Sequence, residues 1–224
     1  MRIAIVGPTG HVGNQIVKQL QDQGGHELIL LARDAAKLEA EVARGAKLEL
    51  GDLEDPTFLT NATKGVDALF FMIPPKATAP NFLAYQKEIV KHGAAAVRTN
   101  KIPHVVLLSS IGAQHENGTG PIKGLHLAEE ALKPIANGLT ILRPGSFMEN
   151  FFMSAGSIAQ EGAIYQPAPA EAPMPMIATK DIATVAAQSL VAAAPAGVVI
   201  KELAGPQTYS YQQSATILGA ALGK

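Results

Sequence analysis

Short apolar runs alternate with longer helical stretches from the first residue onward, and this alternation leaves the chain very few folds to choose from. Residues 2–6, 28–32, 47–50, 68–73, 105–108 and 139–142 read as strands buried on both faces. Between them, residues 12–23, 35–43, 56–63, 81–99 and 125–135 read as helices, with Gly24-Gly25 after the first and Asp55-Pro56 opening the third. Neighbouring parallel strands need a crossover of this length, so the pattern predicts an α/β fold with a doubly wound parallel sheet covered by helices on both sides. After Pro144 the pattern changes. Residues 147–160 look helical, 165–175 are rich in Pro and Ala like a surface excursion, 181–193 are helical again, 198–203 form a strand and 210–222 a last helix.

The chain has 224 residues, of which 47% are hydrophobic and 17% charged, enough to bury a real core. Eighteen Lys and Arg against nineteen Asp and Glu leave a net charge of -1, which gives no long-range attraction to nucleic acid or anionic membrane. With no cysteine there is no disulfide, thiol nucleophile or cysteine-bound metal, and the six histidines are scattered without paired ligand spacing, so no metal is expected. The apolar run at residues 3–6 is too short for a signal-peptide core, and the uncharged stretch 182–200 is broken by Pro195 and Gly197. These features fit a cytoplasmic protein.

Gly7-Pro8-Thr9-Gly10-His11-Val12-Gly13 places three glycines at GxxGxxG spacing at the first strand-to-helix turn. Gly7 permits a tight turn, Gly10 lets backbone amides approach a pyrophosphate, and Gly13 allows helix to pack closely on sheet. The helix start adds unpaired N–H groups and positive partial charge, so Gly7, Thr9, Gly10, His11, Val12 and Gly13 are candidate dinucleotide-binding residues. About twenty residues past the last glycine, where an acid would bind a ribose, stands Arg33. A guanidinium there pairs with a 2'-phosphate, with Lys37 one turn on, which favours NADP; the adjacent Asp34 leaves NAD open.

Together with Leu31-Ala32-Arg33-Asp34, Gly51-Asp52-Leu53, Leu108-Ser109-Ser110-Ile111-Gly112-Ala113, Leu125-His126-Leu127-Ala128-Glu129 and the run from Thr140 through Arg143-Pro144-Gly145-Ser146-Phe147-Met148-Glu149-Asn150, the glycine motif resembles the NmrA-like branch of the atypical short-chain dehydrogenases/reductases. Weaker likeness continues at Lys180-Asp181-Ile182-Ala183 and Leu203-Ala204-Gly205-Pro206. The resemblance implies an NAD(P)-binding Rossmann core over residues 1–146 and a small substrate-side lobe over 147–224, interleaved with the core. It also implies that Asp52 and Leu53 contact the adenine, that Ile73 and Pro74 lie along the cofactor, and that Ser109 sits near the nicotinamide. Phe147, Met148 and Glu149 match a loop closing over the nicotinamide end. Members of that family usually continue for some tens of residues past the point matching Lys224, so the lobe is expected to be reduced.

Ordinary members of the superfamily reduce carbonyls with a Tyr-x-x-x-Lys pair, which this chain lacks. His126 is a candidate proton donor and Glu129, or Glu130, a carboxylate that could orient it from one helical turn away. Equally, His126 could merely line the cleft and the glutamates form a solvated helix face. A Ser-His-acid hydrolase built on Ser109, Ser110, His126 and Glu129 lacks the GxSxG elbow and has its acid on the wrong side of the histidine.

The expected activity is hydride transfer from NADPH to a small flat acceptor such as a quinone or dye, as the resemblance implies. Phe147, Met148, Phe151, Phe152 and Met153 could line the acceptor pocket or simply pack a helix. The alternative is a non-catalytic NAD(P) redox sensor acting on a regulatory protein partner, which the missing Tyr-x-x-x-Lys favours. A second copy of the chain is a further partner to consider, and sugar-nucleotide epimerisation is weaker because it relies on the same absent pair.

Overall fold

The computed structural model describes residues 1–223. The elements run β1 (Arg2–Val6), α1 (His11–Gln23), β2 (Glu27–Ala32), α2 (Glu39–Ala43), β3 (Lys47–Leu50), α3 (Phe58–Ala62), β4 (Ala68–Phe71), α4 (Phe82–Asn100), β5 (His104–Leu108), α5 (Lys123–Leu132), β6 (Gly138–Pro144), β7 (Ser146–Phe147), α6 (Ala155–Glu161), β8 (Met174–Ile177), α7 (Thr179–Val191), β9 (Gly197–Leu203), β10 (Thr208–Tyr209) and α8 (Tyr211–Ala221).

Period-two side-chain alternation splits the strands between two cores. On one face Ile3, Ile5, Leu30, Phe70, Val106 and Leu142 meet Ile16 and Leu20 of α1 and Ile182, Ala186 and Leu190 of α7. On the other, Ala4, Val6, Leu31, Leu69, Phe71 and Ile141 meet Leu59 of α3, Ile89 and Val97 of α4 and Leu132 of α5. Sandwiched in this way, the inner strands are mostly apolar on both faces, with His104, Thr140 and Arg143 as buried polar exceptions. α4 begins under a side-chain cap, with the Ala84 N–H donating to Asn81 Oδ1 at 3.0 Å, and stops at Lys101 in the left-handed region.

Seven parallel strands form the main sheet in the order β3-β2-β1-β4-β5-β6-β9. The chain moves outward from β1 through β2 to β3, then returns to the other side of β1 with β4. That reversal opens a crevice at the carboxyl ends of β1 and β4, where an open parallel sheet holds its ligand. β9 joins the main sheet, and α7 packs against α1, so the chain after residue 146 is woven into the core.

Three expectations change. β3 is an exposed edge strand, with Leu50 57% exposed, because it has a partner on one side only. The helix expected over 147–160 is instead β7, a 3-10 segment over Met148–Ser154 and then α6, because Phe147 is drawn into a parallel pairing with Ile177. The surface excursion ends in β8, which joins β7 and β10 in a small three-stranded sheet. Among the described residues no helix is long and apolar enough to cross a membrane.

Candidate functional site

A cleft of about 700 Å³ lies at the β1/β4 reversal. Its floor is the β1–α1 turn. Gly7 has φ +69°, and a Cβ on Gly13 would stand 2.1 Å from the Gly7 carbonyl oxygen, so both positions need glycine for the fold itself. Gly10 differs: its φ of -79° is ordinary, and a Cβ there would meet only the Gly7 oxygen, at 3.4 Å. What glycine preserves at Gly10 is open space at the cleft floor. α1 starts with no side-chain cap and no acid in its first turn, leaving the positive helix end free for an anion. A pyrophosphate fits this cradle.

Six charged side chains line the cleft, and they are not equally engaged. Asp34 accepts from the Ala36 N–H at 3.0 Å and Asp52 from the Glu54 N–H at 3.0 Å, both stiffening their turns. Lys76 pairs with Glu54 at 2.5 Å and lies over the Tyr85 ring. Among the described residues Arg33 and Lys37 have no carboxylate within 4.0 Å. Two unpaired cations beside the ribose end suit a 2'-phosphate, so the residues present fit NADP. Tyr85 donates to the Pro74 carbonyl at 3.0 Å; burial, then Glu54 and Asp52, push its phenol above the usual range, so it holds the β4–α4 turn as a donor.

Of the expected cofactor residues, Gly7, Thr9, Gly10, His11, Val12, Gly13, Arg33, Lys37, Asp52, Leu53, Pro74 and Phe147 line this cleft. Ile73 and Ser109 do not. Ile73 is packed into the core below β4, and the Ser109 hydroxyl is turned inward, donating to Glu129 Oε1 at 2.5 Å. Met72, Lys76, Tyr85 and Asn150 line the cleft without having been expected. Asn150 was within reach of the sequence, since it ends the same run as Phe147.

A second cavity of about 440 Å³ shares Phe147 and Asn150 with the first. Ile111, Ile122, Pro144, Met174 and Pro175 give it apolar walls, with the polar groups of Ser110, Ser146 and Asn150 at their edge. Glu149 does not close over the site. Both its carboxylate oxygens accept from the Thr179 N–H, at 2.9 and 3.0 Å, and Oε1 also from the Thr179 hydroxyl at 2.6 Å, so it caps the free N-terminus of α7 from thirty residues away. Phe152 and Met153 are 70% and 83% exposed, outside the pocket walls.

The expected acid pair His126 and Glu129 is not assembled. His126 lines neither cavity, and its Nδ1 hydrogen-bonds the Ala113 carbonyl oxygen at 2.9 Å, tying the loop after β5 to α5. Glu129 is fully buried and holds Arg143, with Arg143 Nε donating to Oε1 at 3.0 Å and Nη2 to Oε2 at 2.5 Å. Glu129 is engaged by the guanidinium and Ser109 and makes no bond to His126, so it does not orient the histidine. Glu130 faces solvent and pairs with Lys133 at 2.6 Å, which holds its carboxyl below the usual range.

A protein-family model described as NAD(P)H-binding matches residues 7–193. The chain is 32% identical to the NAD(P)H azoreductase of Xenophilus azovorans, over 99% of this chain and 74% of the relative. It is 28% identical to quinone oxidoreductase 2 of Escherichia coli (strain K12), over 99% of this chain and 75% of that one. Among solved structures, the NADPH-dependent quinone oxidoreductase of Escherichia coli complexed with NADPH superposes with a TM-score of 0.81 at 24% identity, over 99% of this chain and 76% of that chain. Citrobacter sp. triphenylmethane reductase complexed with NADP(H) does so with 0.79 at 22% identity, over 100% and 77%. The glycine cradle, the sheet reversal and these matches agree: this chain, whose motifs resemble those of the atypical short-chain dehydrogenases/reductases, belongs to the NAD(P)H-binding family.

Proposed function

We propose that the protein is an NADPH-dependent reductase of small flat acceptors such as quinones or azo and triphenylmethane dyes. The observation that carries this reading is the apolar second cavity, which meets the cofactor cleft at Phe147 and Asn150. When bound, NADPH supplies the hydride. The chain's own part is to seat the pyrophosphate on the start of α1, face the 2'-phosphate with Arg33 and Lys37, and hold a flat ring against the apolar walls of Ile111, Pro144 and Met174. A quinone that accepts a hydride becomes a stabilised phenolate-type anion, which can take its proton from water. No protein acid is then required, and the absence of Tyr-x-x-x-Lys is compatible with turnover.

The organisation that goes with this reading is a cofactor-binding core over 1–146 and a substrate-side lobe over 147–224, and the compartment is the cytoplasm, where reduced nicotinamide is maintained. A sensor role is favoured by one feature, the exposed Phe152 and Met153 beside the cleft, whose 3-10 segment brings the Phe152 ring to 6.4 Å from His11, where a protein partner could feel the cofactor state. The deciding experiment is calorimetric titration with NADPH and NADH, then absorbance at 340 nm with menadione and an azo dye. Binding with acceptor-dependent oxidation is expected. Tight binding without oxidation of NADPH by either acceptor overturns the reductase in favour of the sensor.

A further inference from the structure

The buried Ser109, Glu129 and Arg143 take no part in the chemistry described above, yet an ion pair placed in a core carries a large desolvation cost that an apolar pair of similar volume would avoid. All three are at most 7% exposed. Their location is informative. Ser109 follows the last residue of β5, Arg143 is next to last in β6, and Glu129 reaches both from α5. The side chains therefore bind two adjacent strand ends to one helix: Arg143 makes a two-bonded fork on the carboxylate and Ser109 donates to one of the same oxygens. The backbone continues the link, with the Ser109 N–H donating to the Leu142 carbonyl at 2.7 Å and the Ile111 N–H to the Pro144 carbonyl at 3.0 Å.

The residues that leave this knot form half of the second cavity. Ser110 and Ile111 follow Ser109, while Pro144, Gly145 and Ser146 follow Arg143. The fit beyond them is close, because a Cβ on Gly145 would stand 2.3 Å from the Pro175 carbonyl oxygen on the opposite wall. A small swing of the β6 end therefore reshapes the pocket on both sides. A planar guanidinium–carboxylate fork fixes direction as well as distance, which an apolar contact does not.

We infer that Ser109, Glu129 and Arg143 are positioning residues that set the geometry of the acceptor pocket far more than that of the cofactor cleft, which shares only Phe147 and Asn150 with it. This role rests on the reductase reading above for its substrate, though its geometric part does not. Glu129→Leu combined with Arg143→Met removes both charges together and leaves neither buried alone, so folding is expected to be retained. For that double variant, the melting temperature and the NADPH dissociation constant stay near wild type, while kcat/KM for menadione falls about tenfold or more through misplacement of the ring. Amide hydrogen exchange in the NADPH-saturated protein rises in segments 109–113 and 143–147. Arg143→Lys keeps the charge and loses the fork, and serves if the double variant does not fold; the same two changes are expected, in smaller degree.

Wild-type menadione kinetics in a stably folded variant would overturn the positioning role, as would unchanged exchange in those two segments or an equal loss of NADPH affinity. If the wild-type protein itself fails to oxidise NADPH with menadione, the reductase reading is at fault, and the exchange measurement still decides whether the knot sets these segments.

Discussion

The two cavities meet at Phe147 and Asn150 but are built by opposite means. The cofactor cleft takes its floor from backbone, a glycine turn and a free helix end over residues 7–13, with side chains added around it from Arg33 and Lys37 to Met72 and Tyr85. The acceptor pocket is made of walls brought from far along the chain, Ser110 and Ile111, Pro144 to Phe147, and Met174 with Pro175. Its shape is set by a buried fork and a two-residue strand. A backbone cradle recognises a phosphate that every dinucleotide carries. A pocket walled by scattered side chains can be recut for a new acceptor without disturbing the cradle.

That contrast can be broken. Its severest test is Gly13→Ala, whose new Cβ would collide with the Gly7 carbonyl and push the turn out of shape. A fall in NADPH affinity of about a hundredfold is expected, with about 1–3 kcal/mol of lost stability from overpacking. Calorimetry and thermal melting measure both, and intact binding would mean the turn is not the cradle. A smaller effect separates backbone from side chain within the cleft. Arg33→Ala removes a charge-assisted contact worth about 1.5–3 kcal/mol, so NADPH binding should weaken about tenfold or more while NADH binding holds. Equal weakening of both would place the guanidinium elsewhere than the 2'-phosphate.

The smallest expected effect sits at the opposite end of β5 and β6, away from either cavity. There the His104 ring meets the Thr140 hydroxyl at 3.0 Å, and burial, with Lys201 nearby, holds its pKa below the ordinary 6.5. The folded His104 ring therefore resists protonation, and it takes up a proton more readily once unfolded. Its contribution to stability is complete above pH 6.5 and is lost as pH falls below that value, by at most about 1.4 kcal/mol per pH unit. Melting temperatures from pH 7.5 to 5.5 should fall less for His104→Gln than for wild type, with NADPH affinity equal in the two proteins.

How far the sequence could be read follows the same division. The strand and helix alternation predicts the sheet, and the glycine spacing predicts the cleft floor, because both signals lie within a few residues of one another. Arg33 is legible by counting from Gly13. Glu129 is not: as a charge on an amphipathic helix it reads as solvated or catalytic, and only the arrival of β6 beside β5 supplies Arg143 as its partner. His126 misleads for a similar reason, since its partner is a loop carbonyl, which has no side-chain signature. β7, β8 and β10 are two to four residues long, too short for any periodicity to show, and they exist because their partners hold them.

The bond from Glu149 to Thr179 fastens together parts of the molecule that lie far apart in the chain. Residue 149 stands between Phe147 and Asn150, which both ligand cavities share, and it grips the start of α7, which packs along α1, the helix that begins at the phosphate cradle. One carboxylate thus moors the wall that both cavities share to the helix lying against the cradle's own helix.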